Sequence, residues 1–464
     1  MSHKTSKIRH RLLLATVLSF AAGGCNVPPR VIDNTPDSIA RATGVSSGIN
    51  FRTVGSEGGP LNEEPLNGTE LTIVEAVRRA VTTDPELQAA MARIRIAAAD
   101  ADQSRLLSNP MLDIVLRFSS GRPQIEASLA QDVVSALQIP RKASAADNRL
   151  RAAGAETISV ALDVIREVQE RYVAAQTAAA FTPLLRQRLE IIDHLQDLAK
   201  SRYAAGEGTA IELTTLAAQR VELQIEIDLA QLAEREERLK LARLIGEPSS
   251  AAVWTLDGWS KPETDTRQED SWIAAGLCNR PEIQTIIWKL KALGDDADLA
   301  GLLTWEGASI GLDAMREDDW RSGPSITTPL PVFDTGQARR TRLTAEQQEA
   351  RHELTLAKRK TVEEIRIAFQ SLAASNTGLH RIQSELIPLQ HQRRQFAEDS
   401  FKSGVAERSM VLLAEIDLRN TQIQLVKMEQ QVATARISLH RAVGGPGIAA
   451  TFKPKESPRA HVTP

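Results

Sequence analysis

The segment Arg202-Tyr203-Ala204-Ala205-Gly206 and the residues that follow it decide the fold, because their pattern occurs twice in the chain. An aromatic residue, a glycine turn, a leucine, an arginine and a Gly-x-Pro ending all return 198 residues later. The matched positions are Tyr203, Gly206, Leu241, Arg243, Gly246 and Pro248 in the first copy and Phe401, Gly404, Leu439, Arg441, Gly444 and Pro446 in the second. Pro85-Glu86-Leu87-Gln88 likewise returns as Pro281-Glu282-Ile283-Gln284. Such self-similarity indicates two copies of one structural unit.

Each copy is predicted to contain a long helix, a short turn and a returning helix. The only proline in 141–205 is Pro183, and the only proline and glycine in 337–403 are Pro388 and Gly378. At a rise of 1.5 Å per residue, each rod would be about 100 Å long if it were helical throughout. The glycine in each turn can adopt the left-handed conformation that ends a helix.

The returning helices carry apolar residues at alternating spacings of three and four, which predicts coiled-coil seams. Glu, Gln, Arg and Lys on the other faces predict solvated flanks. The predicted seam residues are Val221, Ile225, Leu229, Leu232 and Leu239 in the first copy and Ile416, Ile423, Val426, Ala433 and Ile437 in the second. A seam of this kind indicates packing and implies no ligand.

Between the helices the apolar period changes to two, which predicts two β-hairpins. The first hairpin covers about 111–131, with a turn at 119–123. The second covers about 307–331, with a polar turn through 316–323 and a return strand from 325 to 330. Tilted strands of about nine to eleven residues can cross a membrane. A small soluble sheet packed on the helices is the alternative that four short strands leave open.

Four strands cannot close a membrane barrel, because known barrels begin at about eight strands. Only a closed barrel keeps strand edges out of lipid, so several chains would have to associate. An eight-stranded barrel is filled by its own side chains. A conducting assembly therefore needs three or more copies.

The N-terminus has the pattern of an export signal. Basic residues precede an apolar run, 12–22, that is too short to span a bilayer, and Gly23-Gly24-Cys25 follows. Small residues before a cysteine resemble the lipobox of bacterial lipoproteins, although Ala22 stands where leucine is usual. We therefore expect a signal peptide and an acylated Cys25 carrying palmitate, with an ordinary secretory signal as the alternative. By the lipoprotein sorting rules, Asn26 points to the outer membrane.

Composition favours a folded, helical protein without enzymatic chemistry. Of 464 residues, 42% are hydrophobic and 25% charged, whereas only 4% are aromatic. The net charge is −3, with no basic face that would indicate a nucleic-acid partner. The eight histidines are dispersed, and neither a phosphate-binding loop nor a nucleophile motif occurs. The interpretation is a non-enzyme with no metal and no cofactor beyond the covalent N-terminal lipid.

From Leu71 to Gly445 the sequence resembles the outer-membrane efflux protein family, the TolC-like channels. The features that carry this resemblance are Leu71–Val77 with Asp84–Leu87, the stretch Pro329–Gln337, and the turns Arg202–Gly206 and Phe401–Gly404. The resemblance implies a mainly α fold with a small β-barrel portion. It also implies a homotrimer whose twelve-stranded barrel in the outer membrane joins a periplasmic α-helical barrel.

The same resemblance implies a passive exit duct of a tripartite efflux system. The two turns would be periplasmic tips that meet a periplasmic adaptor (membrane-fusion) protein and, through it, an inner-membrane pump. Lipidated members serve mainly drug and heavy-metal efflux. A type I protein-secretion channel, or a non-conducting lipid-anchored periplasmic coiled-coil scaffold, remain the alternatives.

The implied site residues lie at the tips. In well-known members, rings of carboxylates narrow the entrance at positions that hold Met410 and Leu413 here, so any acidic ring must be displaced or absent. The possible gate residues are then Glu407, Arg408 and Glu415. The expected adaptor contacts are Gly206, Glu207, Gly208, Thr209, Gly404, Val405 and Ala406, because small residues let a partner hairpin approach closely.

The predicted organisation follows from these patterns. The predicted segments are a signal peptide (1–24), a lipid-anchored extended segment (25–69), a first repeat (70–262, tip about 203–210), a second repeat (263–447, tip about 401–408) and a C-terminal tail (448–464).

Overall fold

A computed structural model describes residues 40, 70–118, 123–247, 252, 254–258, 267–316 and 319–451. The predicted signal peptide, Cys25, and nearly all of the extended segment and the C-terminal tail lie outside this part of the chain. The described residues are mainly helical, so the predicted fold class is confirmed.

Both repeats run through two short helices, a β-hairpin, a long helix and a returning helix. The helices are α1 (Ile73–Thr83), α2 (Pro85–Gln103), α3 (Val133–Ala204), α4 (Ala210–Leu244), α5 (Glu269–Asn279), α6 (Pro281–Leu299), α7 (Gln337–Arg381), α8 (Ile387–Lys402), α9 (Arg408–Ala442) and α10 (Pro446–Thr451). The strands are β1 (Glu70–Leu71), β2 (Met111–Arg117), β3 (Gln124–Asp132), β4 (Thr255–Leu256), β5 (Ser309–Arg316) and β6 (Trp320–Thr327).

The first helices begin at local signals in the sequence. The Glu75 amide donates to the Thr72 hydroxyl at 3.2 Å, which caps α1. The Glu75 carboxylate does not complete a capping box with the Thr72 amide, because it accepts instead from Arg78 and Arg79 at 2.6–3.0 Å. A guanidinium is a stronger partner for a carboxylate than a backbone amide. Helix α2 begins at Pro85, because proline suits the first turn of a helix.

The two long helices differ in continuity. Helix α3 begins eight residues before the predicted rod, because the Asp132 carboxylate accepts from the Ser135 amide at 2.9 Å and starts the helix directly after β3. Pro183 lies inside α3 without ending it. In the second repeat, a π turn over Ile382–Leu386 separates α7 from α8, just before Pro388. The wider turn makes room for the proline ring beside the carbonyl four residues back.

The chain forms two compact units, of which the first contains residues 94–152 and 288–351. Its core element is a four-stranded antiparallel sheet in the order β2-β3-β5-β6. The return strand β6 begins at Trp320, earlier than predicted, because the ladder with β5 continues to the pair Arg316–Trp320. Gly323 and Pro324 are tolerated there because β6 is an outer strand.

The second unit contains residues 70–93, 153–287 and 352–451 of the described chain and holds one hydrophobic core per repeat. In the first repeat, α1, α3 and α4 pack around Leu71, Leu87, Ile165, Leu241 and Trp254. In the second repeat, α5, α7, α9 and α10 pack around Trp272, Ile365, Val432, Leu439 and Ala449. A third cluster joins α3 and α4 to Leu412 of α9. Duplicated sequence thus builds duplicated packing.

The apolar seam predicted on α4 is not buried within a single chain. The face of α4 that packs inside the chain carries Leu223 and Ile227, which are 4% and 6% exposed. The predicted residues are all more than half exposed; they are Val221, Ile225, Leu229, Leu232 and Leu239. On α9, by contrast, the predicted seam residue Ile437 is buried, and Ile416 and Ile423 pack against the third cluster.

Candidate pore and docking surfaces

The two turns between paired helices have the same hydrogen-bonded geometry. Gly206 and Gly404 have φ of 79° and 72°, the left-handed conformation expected from the sequence. In the first turn, the Glu207 and Gly208 amides donate to the Arg202 carbonyl; in the second, the Val405 and Ala406 amides donate to the Ser400 carbonyl. Val405 is 83% exposed, the most exposed apolar side chain of this turn. The turns present a small, accessible surface.

One ion pair connects the two turns across the repeats. Arg202 Nη1 donates to Glu407 Oε2 at 2.9 Å, and the Ser409 hydroxyl donates to the same oxygen at 3.2 Å. The sequence points to Glu407 and its neighbour Arg408 but not to Arg202, because 205 residues separate Arg202 from Glu407. No local pattern encodes such a pair.

The other sequence-derived gate residues are not brought into this contact. Arg408 is exposed in the first turn of α9, and Glu415 is partly buried two turns further along the helix. Met410 and Leu413 are 56% and 49% exposed. The accessible surface just beyond the second turn is therefore apolar at both positions.

The sheet of the first unit has two chemically different faces, because side chains alternate along each strand. Leu112, Leu129, Leu312 and Pro324 lie in one cross-strand row and exemplify the apolar face. The opposite face carries charged and small residues; these include Asp113, Arg117, Glu126, Ser128, Asp313 and Arg321. β2 and β6 are the outer strands, and every residue of β2 is exposed. An exposed apolar face with unpaired strand edges is a surface that another molecule has to cover.

A charge cluster around the largely buried Arg441 lies in the second unit. The Arg441 guanidinium donates to both Asp163 carboxylate oxygens at 2.9 and 3.0 Å, to Glu282 at 2.6 Å and to the Ser159 hydroxyl at 3.0 Å. Arg280 contacts the other oxygen of Glu282 at 3.1 Å. The cluster joins α3 of the first repeat to α6 and α9 of the second.

The cluster shifts the pKa of its members. Burial alone would raise the pKa of Glu282, but the charge and hydrogen bond of Arg441 outweigh it and lower that pKa to about 2. Burial opposes the charged form of Arg441 as well, yet the hydrogen bonds and charges of Asp163 and Glu282 raise its pKa overall. Glu282 and Arg441 are therefore both charged over the physiological pH range, and their contact links the two repeats.

Two features are absent from the described ranges. No group of three or more His, Cys, Asp or Glu residues there has the arrangement of a metal site. None of the helices in these ranges combines the length and hydrophobicity needed to cross a bilayer.

The second repeat matches a known protein family. Residues 272–445 match the family model described as outer membrane efflux protein. This part of the chain is similar to the outer membrane efflux protein family. The match begins at Trp272 of α5 and ends at the glycine pair after α9, so it covers one complete repeat of the duplicated plan. The resemblance drawn from the sequence is confirmed.

A curated relative extends the likeness over both repeats. The chain is 24% identical over 404 residues to the pyoverdine export outer membrane protein OpmQ of Pseudomonas aeruginosa, covering 80% of this chain and 84% of OpmQ. That relative is named as an export protein of the outer membrane.

Solved structures show the same fold. The outer membrane protein VceC of Vibrio cholerae matches with a TM-score of 0.64 at 19% identity, over 80% of this chain and 96% of VceC. The CmeC outer membrane channel of Campylobacter jejuni matches with a TM-score of 0.63 at 15% identity, over 80% of this chain and 85% of CmeC. The chain therefore shares the fold of these outer-membrane proteins.

Proposed function

We propose that this protein is the outer-membrane exit duct of a tripartite efflux system, which passively conducts substrates from a periplasmic adaptor and an inner-membrane pump to the exterior. The observation that carries the proposal is the amphipathic four-stranded sheet, with one exposed apolar face and two unpaired edge strands. Lipid would cover the apolar face, and neighbouring copies would pair with both edges. The long helices that leave this sheet suit a periplasmic conduit.

Association into a homotrimer follows from the need to close the sheet. Three copies would supply twelve strands, enough to open a lumen rather than a filled barrel. The exposed stripe on α4 supports the same association. Ile211, Ile225, Leu232 and Leu239 are spaced by multiples of seven residues and are 51–77% exposed in the single chain. Such a heptad stripe on a charged helix is typical of a helix–helix interface.

The turns at 205–209 and 403–407 are the proposed adaptor contacts. Their glycines, alanines and Val405 form an accessible surface of small side chains that a partner helical hairpin could approach closely. The Arg202–Glu407 pair lies on this surface and belongs to the proposed gate. Because no nucleotide-binding motif is present in the sequence, the energy for transport would come from the inner-membrane pump.

The cargo is proposed to be a small molecule. OpmQ is named for export of pyoverdine, and the likeness to it extends over most of both chains. We further propose that the chain is anchored in the outer membrane by acylation of Cys25. Palmitate incorporation into wild-type protein and its loss in Cys25→Ser would test the anchor separately from conduction.

The proposed function is tested on full-length protein purified from outer membranes in detergent. We expect a trimer by native mass spectrometry and discrete conductance steps in planar bilayers. A solitary, non-conducting protein would contradict the proposal and favour the lipid-anchored scaffold. Deletion of the gene in its host should raise sensitivity to exported compounds, and it should leave protein secretion unchanged.

A further inference from the structure

The connection from β6 to α7 exposes three large apolar side chains. Phe333 is 96% exposed, and Leu330 and Val332 are exposed as well. The connection belongs to Pro329–Gln337, one of the stretches that carry the family resemblance, and neither the proposed duct nor its tips use it. An exposed apolar cluster of this kind indicates a partner outside the chain.

A neighbouring segment adds to this apolar surface. A Cβ placed on Gly336 would lie 2.9 Å from Thr304 Cγ2, so the connection packs closely on the 3₁₀ turn Leu302–Trp305. Trp305 of this turn is also exposed. We call Leu330, Val332, Phe333 and Trp305 the apolar patch. Ile326 of β6 lies on the apolar face of the sheet, and the patch begins four residues later, so it continues that face toward α7.

Two arginines in the first turn of α7 have donors that the chain does not use. Arg339 Nη2 lies 3.6 Å from Asp334 Oδ2, and the buried Nη1 of the same side chain forms no hydrogen bond among the described residues. Arg340 is exposed and has no ion-pair partner in the same ranges. Its Nη2 lies 2.8 Å from the position of a Cβ on Gly301, next to the 3₁₀ turn. Because guanidinium groups match phosphate oxygens in a bidentate geometry, the patch and the two arginines form a surface with apolar and phosphate-binding parts.

The first repeat differs at the equivalent positions. At the offset of 198 the basic pair is Arg141-Lys142, whose arginine is held by two aspartates at 3.1 and 3.3 Å. The counterpart of Phe333 is Ser135, and that of Leu330 is Asp132. These two residues hydrogen-bond at 2.9 Å and start α3. Largely unpaired guanidiniums beside exposed apolar side chains are therefore a feature of the second repeat and not of the first.

We propose that the apolar patch, together with Arg339 and Arg340, binds an anionic phospholipid. The guanidiniums would donate to its phosphate oxygens, and its acyl chains would cover the patch. The inference rests on the proposed function, because it requires the sheet to lie in the outer membrane, where lipid that covers its apolar face also reaches the end of β6. Trp and Arg side chains suit this depth, since an apolar body can stay in lipid while the polar end contacts headgroups. Basic side chains at a membrane surface favour anionic over zwitterionic lipids.

The test measures lipid retention by the full-length trimer in detergent. Native mass spectrometry counts the lipids bound after incubation with an equimolar mixture of dioleoylphosphatidylglycerol and dioleoylphosphatidylcholine. Wild-type protein should retain phosphatidylglycerol in preference to phosphatidylcholine by about fivefold or more, because each basic side chain at a lipid surface contributes an attraction of this order. In Arg339→Gln/Arg340→Gln this preference should fall to near unity. Phe333→Ser, which installs the residue of the first repeat, should reduce the retention of both lipids and leave the preference unchanged.

Lys358→Gln/Arg359→Gln is the matched control, because it removes two charges from an exposed basic pair further along α7. It should leave the preference within about twofold of the wild-type value. The inference is overturned, and the proposed function left intact, if a conducting trimer shows no preference, keeps it in Arg339→Gln/Arg340→Gln, or loses it equally in the control. Absence of conductance in the wild-type protein would instead overturn the proposed function. If the double variant does not form trimers, Arg340→Gln alone applies the same criterion, since that side chain is exposed.

Discussion

The two returning helices, α4 and α9, share a length of 35 residues and an offset of 198, yet the chain covers their apolar stripes differently. On α9, Ile437 is buried and Ile423, the counterpart of Ile225, packs against the third cluster, whereas Leu239, the counterpart of Ile437 on α4, is 55% exposed. On α4, Ile225 and Leu232 remain more than half exposed although their spacing is equally regular. Periodicity therefore identifies a face that has to be covered, but it does not say whether the same chain covers it.

A second contrast concerns one arginine that occurs in both copies. The Arg441 side chain is 11% exposed and binds two carboxylates, whereas its counterpart Arg243 is 61% exposed and pairs with Glu167 at 3.0 Å. Duplication preserved the residue type and its helix position. Their surroundings differ: Arg441 joins carboxylates of two other helices, whereas Arg243 lies on the surface.

A charge placed in the exposed stripe of α4 tests whether that stripe is an interface between chains, and we expect it to have the largest effect. Leu232→Asp should lower the trimer fraction by about tenfold or more, because an unpaired charge at the centre of an interface costs about 2 kcal/mol or more. Native mass spectrometry in detergent measures that fraction. Ala233→Asp is the matched control, since it adds the same charge to the adjacent exposed position outside the stripe. Equal loss of trimer in both variants would contradict the assignment of the stripe to an interface.

The same substitution at Arg441 and at Arg243 compares how much each arginine contributes to stability. Arg441→Met should destabilise the protein by about 1–3 kcal/mol, because Asp163 and the partly buried Glu282 would lose their charged hydrogen-bond partner. Arg243→Met should cost about 1 kcal/mol or less, as for other solvent-exposed pairs. Denaturant midpoints from the helical circular dichroism signal compare the two. Similar midpoint shifts in both variants would show that the cluster does not have the described environment.

Acid should weaken the cluster in a defined pH window. The pKa of Glu282 is lowered from about 4.5 to about 2 in the folded protein, so its contribution to stability is complete above pH 4.5 and is lost as the pH falls toward 2. The stability difference between wild type and Glu282→Gln should therefore be largest at neutral pH and shrink across that window. A constant difference from pH 7 to pH 2 would argue against the shift.

The smallest expected effects distinguish the two tips. The Thr209 hydroxyl accepts from the Glu212 amide at 3.2 Å and caps α4, whereas Glu407 at the matching position makes no cap and binds Arg202 instead. Thr209→Ala should cost about 1 kcal/mol and speed hydrogen exchange at the start of α4. Glu407→Ala should cost less than about 1 kcal/mol, because this pair is exposed. Faster exchange at α9 than at α4 in the respective variants would reverse this ranking.

Local features of the fold were predictable because their causes lie within a few residues. Gly206 and Gly404 end their helices, Pro85 starts α2, and alternation marks the strands. The return strand from Trp320 was placed too late, because its start depends on pairing with Arg316 across the ladder and not on its own pattern. The acylation at Cys25 stays a prediction, since that residue lies outside the described part of the chain.

By itself the sequence determined the duplicated plan, the rods, the turns and the alternation of the strands, since periodicity and backbone preferences act over short distances. Only the tertiary structure decided which apolar stripe is covered within the chain, that Arg202 meets Glu407, and that Asp113 shares a row with Asp313. These contacts join residues about 200 positions apart. Their energies depend on burial and register, which arise only when the separate helices and strands pack together.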